Sequence, residues 1–149
     1  MNIAATQYTL DMNAYEVYIS GCIEHPCDGC FSEELWDEKV GKHLNEEEYL
    51  KLKNNITTSI EMIDNIMIFG GEVLEKPKEE VIELLQFLNQ FDKPIWLFTR
   101  FKLKEIDKDI LALLDYVKVG MYDKTKITEK NTKYGIKLAT SNQTIHKLR

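Results

Sequence analysis

Apolar residues along this chain are concentrated in four short runs, and each run has the length and composition of a β-strand. The runs are residues 15–20, 66–69, 95–98 and 116–119. The first run contains β-branched and aromatic residues in alternation, as is typical of a strand. The second and third are continuously apolar, which is typical of strands buried on both faces of a sheet. The pattern therefore predicts four successive strands.

Apolar residues at helical spacing lie between these strands. Asn45 followed by Glu48 has the form of an N-cap with its acidic partner, and predicts a helix that reaches about Met62. Pro77 suits the first turn of a second helix. The core-facing stripe of that helix is Val81, Leu84, Leu85 and Leu88. A third helix is indicated by Ile106, Ile110, Leu113 and Leu114.

Strands that alternate with helices of about 10 to 18 residues predict parallel βα units with right-handed crossovers. The segment before residue 15 is expected to be irregular, and residues 136–139 fit an edge strand within a polar C-terminal region. No repeat, low-complexity tract or linker interrupts the chain. Residues 1–149 are therefore predicted to form a single α/β domain.

The composition narrows the classes of function. A formal net charge of −6 and a pI near 5.1 argue against a phosphate-backbone ligand, so no nucleic-acid partner is expected. No stretch approaches the roughly 18 to 20 apolar residues of a membrane span, so no membrane insertion is expected. An odd number of cysteines, and no apolar run after a basic start, argue against a secreted disulfide protein. A cytoplasmic location is therefore expected.

Unusual residues follow the end of each predicted strand. Cysteines follow the first strand, residues 70–72 the second, residues 99–100 the third and residues 120–123 the fourth. The carboxyl ends of parallel strands meet at one edge of a sheet, where ligands bind in such folds. One rim is therefore predicted to bring these residues together.

All three cysteines, Cys22, Cys27 and Cys30, lie in one loop. Thiolates at this spacing can point to one centre and form a soft-metal site. One alternative is a closed zinc site with His25 as fourth ligand. The other is an iron–sulfur cluster held by three cysteines, with one iron left open to a substrate. Three buried thiols without a metal fit poorly, because the intervening Glu24, His25, Pro26, Asp28 and Gly29 do not suit a packed core.

Two other features accompany the cysteine loop. Gly70 and Gly71 would allow a ligand to lie against the backbone, and Glu72 supplies a carboxylate for an ammonium or hydroxyl group. The aromatic residue Trp36 is expected in the core.

These residues resemble the radical S-adenosylmethionine enzymes, and more narrowly the small activating proteins of glycyl-radical enzymes. The resemblance rests on a strand, a three-cysteine loop ending in CDGCF, and GGE after the next strand. ELWD, LFTR and a late SNQ extend it to the activators of anaerobic ribonucleoside-triphosphate reductase. It runs from about residue 15 to the C-terminus. The loop has four residues between Cys22 and Cys27, one more than is usual.

The resemblance implies a 4Fe-4S cluster held by Cys22, Cys27 and Cys30. The cluster would bind S-adenosylmethionine and reduce it, giving methionine and a 5′-deoxyadenosyl radical. Gly70, Gly71 and Glu72 would contact the methionyl end of this cofactor. Gly29, Cys30 and Phe31 would border its adenine. No catalytic side chain is implied beyond the cluster ligands.

The implied substrate is a glycine of a partner protein, from which the radical removes a hydrogen atom. The partner would be anaerobic ribonucleoside-triphosphate reductase, with an electron donor such as flavodoxin. A full (βα)8 barrel takes about 250 residues, so the implied fold is a partial βα barrel with an open side. Two alternatives stay open: an activator of another glycyl-radical enzyme, of the formate-lyase type, and a non-enzymatic zinc-binding interaction module.

Overall fold

The computed structural model describes residues 1–24, 27 and 33–149, and a seven-stranded mixed sheet runs through most of it. The sheet order is β3-β1-β2-β4-β5-β6-β9, and β7 and β8 form a separate two-stranded sheet. The strands are β1 (Asn2–Thr9), β2 (Ala14–Ile19), β3 (Lys42–His43), β4 (Asn65–Gly70), β5 (Ile95–Phe98), β6 (Tyr116–Val119), β7 (Thr132–Lys133), β8 (Ile136–Lys137) and β9 (Thr144–Lys147).

The four strands predicted from the apolar runs form the centre of the sheet. β2, β4, β5 and β6 are parallel neighbours in that order. Their register aligns Val17 with Ile68, Ile68 with Leu97, and Leu97 with Val117. All four of these side chains are fully buried. The prediction of a parallel α/β core is therefore confirmed.

The helices agree with the sequence pattern in two cases out of three. Helix α1 (Glu46–Ser59) is capped by Asn45, whose Oδ1 accepts from the backbone N–H of Glu48 at 3.0 Å. Helix α2 (Lys78–Asn89) begins directly after Pro77 and buries the predicted stripe. Helix α3 (Lys108–Leu111) has only four residues, so the expectation of a long third helix is wrong. A 3-10 turn, Leu103–Glu105, takes up part of that connection.

Both chain ends differ from the prediction. The N-terminal segment expected to be irregular is β1, an antiparallel partner of β2. Its side chains are mostly half-buried, and this explains the weak apolar signal. Residues 136–139 are not an edge strand of the main sheet, because Ile136–Lys137 (β8) pairs with β7. β9 forms that edge instead, antiparallel to β6.

The two faces of the sheet are covered differently. One face packs against the helices in a large apolar cluster that includes Ile68, Leu84 and Leu97. The other face has a smaller cluster, in which Trp96 packs with Leu138 and Ile145 of the C-terminal region. Cover on the second face therefore comes from the C-terminal segment rather than from a layer of helices. Within the described ranges, no helix has the length and apolar character needed to cross a membrane.

The helix-side core generates a stability prediction. Leu84→Ala removes a fully buried side chain of α2, and we expect the free energy of unfolding of the metal-free protein to fall by about 2–5 kcal/mol. Leu50→Ala is the matched control, because Leu50 lies on α1 and is 59% exposed. Chemical denaturation followed by circular dichroism measures both. Equal effects of the two changes would contradict the assignment of this face as the core.

Candidate functional site

A cleft of about 450 Å³ lies at the carboxyl ends of the four parallel strands. Residues after each of these strands line it: Cys22 and Cys27 after β2, Gly71 and Glu72 after β4, Thr99 and Arg100 after β5, and Gly120 and Tyr122 after β6. The prediction that one rim brings these segments together is confirmed. A cleft of this size is within the usual range for small-molecule and cofactor sites.

The ends of β2 and β4 are in direct backbone contact at this rim. The N–H of Gly71 donates to the carbonyl of Ile19 at 3.0 Å, and the N–H of Glu72 donates to that of Gly21 at 2.7 Å. A Cβ atom on Gly71 would lie 2.3 Å from the oxygen of Gly21. The glycine at position 71 is therefore required by the protein's own packing. Its contact with a ligand stays a prediction, although the residue also lines the cleft.

Two of the three predicted cysteine ligands lie in the described residues, and both line the cleft. Cys22 is buried. Its backbone N–H donates to the carbonyl of Trp36 at 3.1 Å, which fixes the start of the cysteine loop. Cys27 is half-buried. Cys30 lies outside the described residues, as do the predicted positions Gly29, Phe31 and His25. Within the described part of the chain, no three His, Cys, Asp or Glu side chains are grouped for a metal ion.

Glu72 is 2% exposed and holds the ends of two strands together. Its Oε1 accepts from the N–H of Leu74 at 3.0 Å and from the hydroxyl of Thr99 at 2.7 Å. Its Oε2 accepts from the N–H of Arg100 at 2.9 Å. Burial raises the pKa of Glu72, and the bonds from Arg100, Thr99 and Leu74 oppose that rise. The carboxylate predicted to bind a ligand is thus already part of the protein's hydrogen-bond network.

Aromatic side chains form the floor of the cleft on the sheet. Tyr18, Phe69 and Phe98 line it from three neighbouring strands. The rings of Tyr18 and Phe69 stack with centroids 5.4 Å apart, and those of Phe69 and Phe98 with centroids 4.2 Å apart. Sequence reasoning missed these residues. The available signal was the alternation of side chains along a strand. Residues next to those that face the helices point to the opposite face of the sheet, where the cleft lies.

Tyr18 also has a polar contact on this face. Its hydroxyl donates to Oε2 of Glu16 at 2.6 Å, and the amide of Gln7 donates to the same oxygen at 2.7 Å. Burial and the neighbouring carboxylate raise the pKa of Tyr18 to about 12. The phenol is therefore protonated at any physiological pH.

The C-terminal segment closes one side of the cleft. Gln143, in the SNQ sequence, donates from its amide to the carbonyl of Gly120 at 3.3 Å and accepts from the N–H of Thr140 at 3.2 Å. Leu138 and Lys137 line the same wall. Trp36 was expected in the core, but it is half-buried and lines the cleft. Its neighbour Leu35 is the buried residue of that segment.

Comparison with known proteins gives consistent results. Residues 14–146 match the family described as 4Fe-4S single cluster domain. The chain is 28% identical to the anaerobic ribonucleoside-triphosphate reductase-activating protein of Haemophilus influenzae, over 89% of this chain and 86% of that protein. It is 27% identical to the protein of that name from Vibrio cholerae, over 88% and 85%, and 24% identical to that from Escherichia coli K12, over 89% and 87%. The resemblance to the activators of anaerobic ribonucleoside-triphosphate reductase is confirmed.

The contact between Gly71 and Gly21 generates a prediction at the rim. Gly71→Val would force the backbone beside Cys22 to move, because a Cβ there overlaps the carbonyl of Gly21. We expect reconstituted Gly71→Val protein to hold less metal than the wild type, measured by metal analysis. Ala112→Val, at an exposed position, is the control. Full metal content in Gly71→Val would contradict the coupling between position 71 and the backbone beside Cys22.

Proposed function

This chain belongs to the family of 4Fe-4S single cluster domains, and from that membership we propose that it activates anaerobic ribonucleoside-triphosphate reductase by forming a glycyl radical. The proposal rests on one observation above all. Two cysteines of the predicted cluster loop line the same cleft as Gly71 and Glu72 of the next strand end. The names of the similar proteins support the choice of target.

The donor set fits a cluster. Cys22 and Cys27 supply thiolates, which are the usual protein ligands of iron–sulfur clusters, and Cys30 supplies the third in the same loop. The burial of Cys22 would restrict the access of water to a metal bound at its thiolate. When bound and reduced, the cluster would supply the electron that splits S-adenosylmethionine and gives the 5′-deoxyadenosyl radical. The protein's own part is to place the cofactor, the cluster and the target glycine.

The rim offers suitable groups for S-adenosylmethionine. Oε2 of Glu72 has one bond, from Arg100, and so retains acceptor capacity for the ammonium of the methionyl end. Gly70 and Gly71 present backbone next to it. The aromatic floor of Tyr18, Phe69 and Phe98 would limit the contact of a bound cofactor with water. Gly29, Cys30 and Phe31 are proposed to border the adenine.

The architecture is compatible with a protein substrate. We assign the parallel strands β2, β4, β5 and β6 to an incomplete βα barrel formed by residues 1–149 as one radical S-adenosylmethionine domain. The sheet face opposite the helices has cover from the C-terminal segment, and the cleft on that side can admit a loop. The reaction would take place in the cytoplasm, with a small electron donor such as flavodoxin.

The alternatives are weaker. An activator of a formate-lyase type enzyme would share this cleft, but the similar proteins carry the name anaerobic ribonucleoside-triphosphate reductase-activating protein. A zinc module with His25 as fourth ligand is disfavoured by the match to a 4Fe-4S family over residues 14–146.

Substitution of the cysteines separates the cluster from zinc. We expect Cys22→Ala, Cys27→Ala and Cys30→Ala each to lose the cluster and all activity, because three thiolates are the minimum set for a cubane with one open iron. His25→Ala should retain both. Protein purified without oxygen should be brown and contain more iron than zinc. A colourless protein whose metal is zinc, and is lost in His25→Ala, would refute the cluster.

The choice of target is tested by direct activation. The reduced protein, S-adenosylmethionine and the anaerobic reductase of the same organism are mixed without oxygen. Electron paramagnetic resonance should show a doublet from the remaining α-hydrogen of a glycyl radical. The signal should be absent when the radical glycine of the reductase is changed to alanine. If S-adenosylmethionine is cleaved but only a different glycyl-radical enzyme is activated, the radical mechanism would be supported and the reductase would be rejected as the target.

A further inference from the structure

Two largely buried charged side chains from separate strand ends form an ion pair beside the cysteine loop. Glu75 ends the 3-10 turn Val73–Glu75 after β4, and Arg100 follows β5. Nη2 of Arg100 donates to Oε1 of Glu75 at 2.7 Å, and the two side chains are only 15% and 10% exposed. An ion pair with so little solvent contact is screened weakly and keeps its geometry.

The pair also holds the two residues that follow Cys22. Oε2 of Glu75 accepts from the backbone N–H of Ile23 at 2.7 Å. Nη2 of Arg100 makes a second ion pair, with Oε2 of Glu24 at 3.0 Å. The two oxygens of Glu75 thus have different partners, one in the loop and one on the neighbouring strand end.

The other side of Cys22 is held by backbone bonds. The N–H of Gly21 donates to the carbonyl of Leu35 at 2.6 Å, and the N–H of Cys22 itself donates to the carbonyl of Trp36. With Ile23 bound to Glu75, the chain is fixed immediately before and after the Cys22 thiol. A thiolate ligand needs this, because a metal site tolerates little error in ligand position.

The position of Arg100 that allows these ion pairs leaves another of its hydrogen-bond donors without a partner. Its backbone N–H donates to Glu72, and its guanidinium carbon lies 4.4 Å from the centre of the Phe101 ring. Among the described residues, its Nε is the one buried side-chain nitrogen or oxygen without a hydrogen-bond partner. A buried donor without a hydrogen-bond partner lowers the stability of the folded state. Arg100 therefore adopts the position in which it forms ion pairs with Glu75 and Glu24, although its Nε makes no hydrogen bond there.

We propose that Glu75 and Arg100 are positioning residues for the cluster loop, which fix the backbone next to Cys22 and thereby the direction of its thiolate. Neither is a catalytic residue. The proposal deepens the proposed function, since it assumes that Cys22 is a metal ligand. Its geometric part does not depend on which metal is bound.

The first test measures hydrogen exchange in the full-length metal-free protein. In Glu75→Ala the Ile23 amide loses its acceptor, and its exchange should accelerate about tenfold or more, the usual effect of removing a hydrogen bond to a charged group. Arg100→Met should have a similar effect, and Arg100→Lys a smaller one. Core amides such as those of Ile68 and Leu97 should be unchanged.

Lys78→Met is the matched control. Lys78 makes ion pairs with Asp107 and Asp109 but is 41% exposed, and it lies on α2. We expect no change at Ile23 in this variant. Acceleration of all amides by one factor in Glu75→Ala would mean that the pair only stabilises the fold, and would overturn the proposal. Unchanged exchange at Ile23 in Glu75→Ala would also overturn it. If Glu75→Ala does not fold, the comparison of Arg100→Lys with Lys78→Met decides.

The second test follows the metal. After anaerobic reconstitution, Glu75→Ala and Arg100→Met should lose iron to a chelator faster than the wild type, and Lys78→Met should not. Equal rates in all variants would overturn the assignment of a role at Cys22. If the wild type binds zinc and no iron, the proposed function fails, while local exchange at Ile23 still supports or rejects the positioning role.

Discussion

The close contact between the ends of β2 and β4 is the constraint on which the site depends. Two backbone bonds join these ends, from Gly71 to Ile19 and from Glu72 to Gly21, and no side chain fits between them at position 71. Parallel pairing of Ile19 with Gly70 brings the strands to this point in register. A shift by one residue would reverse the faces of β4 and separate Cys22 from the GGE sequence. The cleft is therefore a consequence of strand register more than of the loops around it.

A network of buried polar groups continues this contact across the rim. Glu72 joins the end of β4 to Thr99 and Arg100 after β5, and Glu75 joins Arg100 to the cysteine loop. Burying two carboxylates has an electrostatic cost, which raises the pKa of Glu72, and each bond to them offsets part of that cost. Such a network is rigid only if most of its members have partners. Rigidity would be useful to the proposed site, since the ligands of a metal centre must lie at fixed distances from each other.

The parallel core and the location of the cleft could be predicted from the sequence, because both depend on strong local signals. The continuous apolar runs of β4 and β5 and the N-cap at Asn45 are such signals, and the rule that strand ends share an edge gives the cleft. β1 was missed because its side chains are mostly half-buried, so that its apolar residues show little periodicity. The length of α3 was overestimated, because Leu113 and Leu114 continue the apolar pattern after the helix has ended at Leu111. The contacts of Glu75 could not be predicted, because they depend on the distances between three segments that are far apart in the sequence.

The unequal cover of the two sheet faces explains how one small domain can combine a stable core with an accessible site. The helix side contains the fully buried aliphatic residues, and their burial supplies most of the stability. The opposite face carries aromatic rings that stack along the sheet and a C-terminal segment held by Gln143 and Thr140. Stacked rings keep their shape when one side is exposed, because their contacts are with each other. The face that holds the cleft is thus ordered by contacts between its rings and by the C-terminal segment, without a layer of helices.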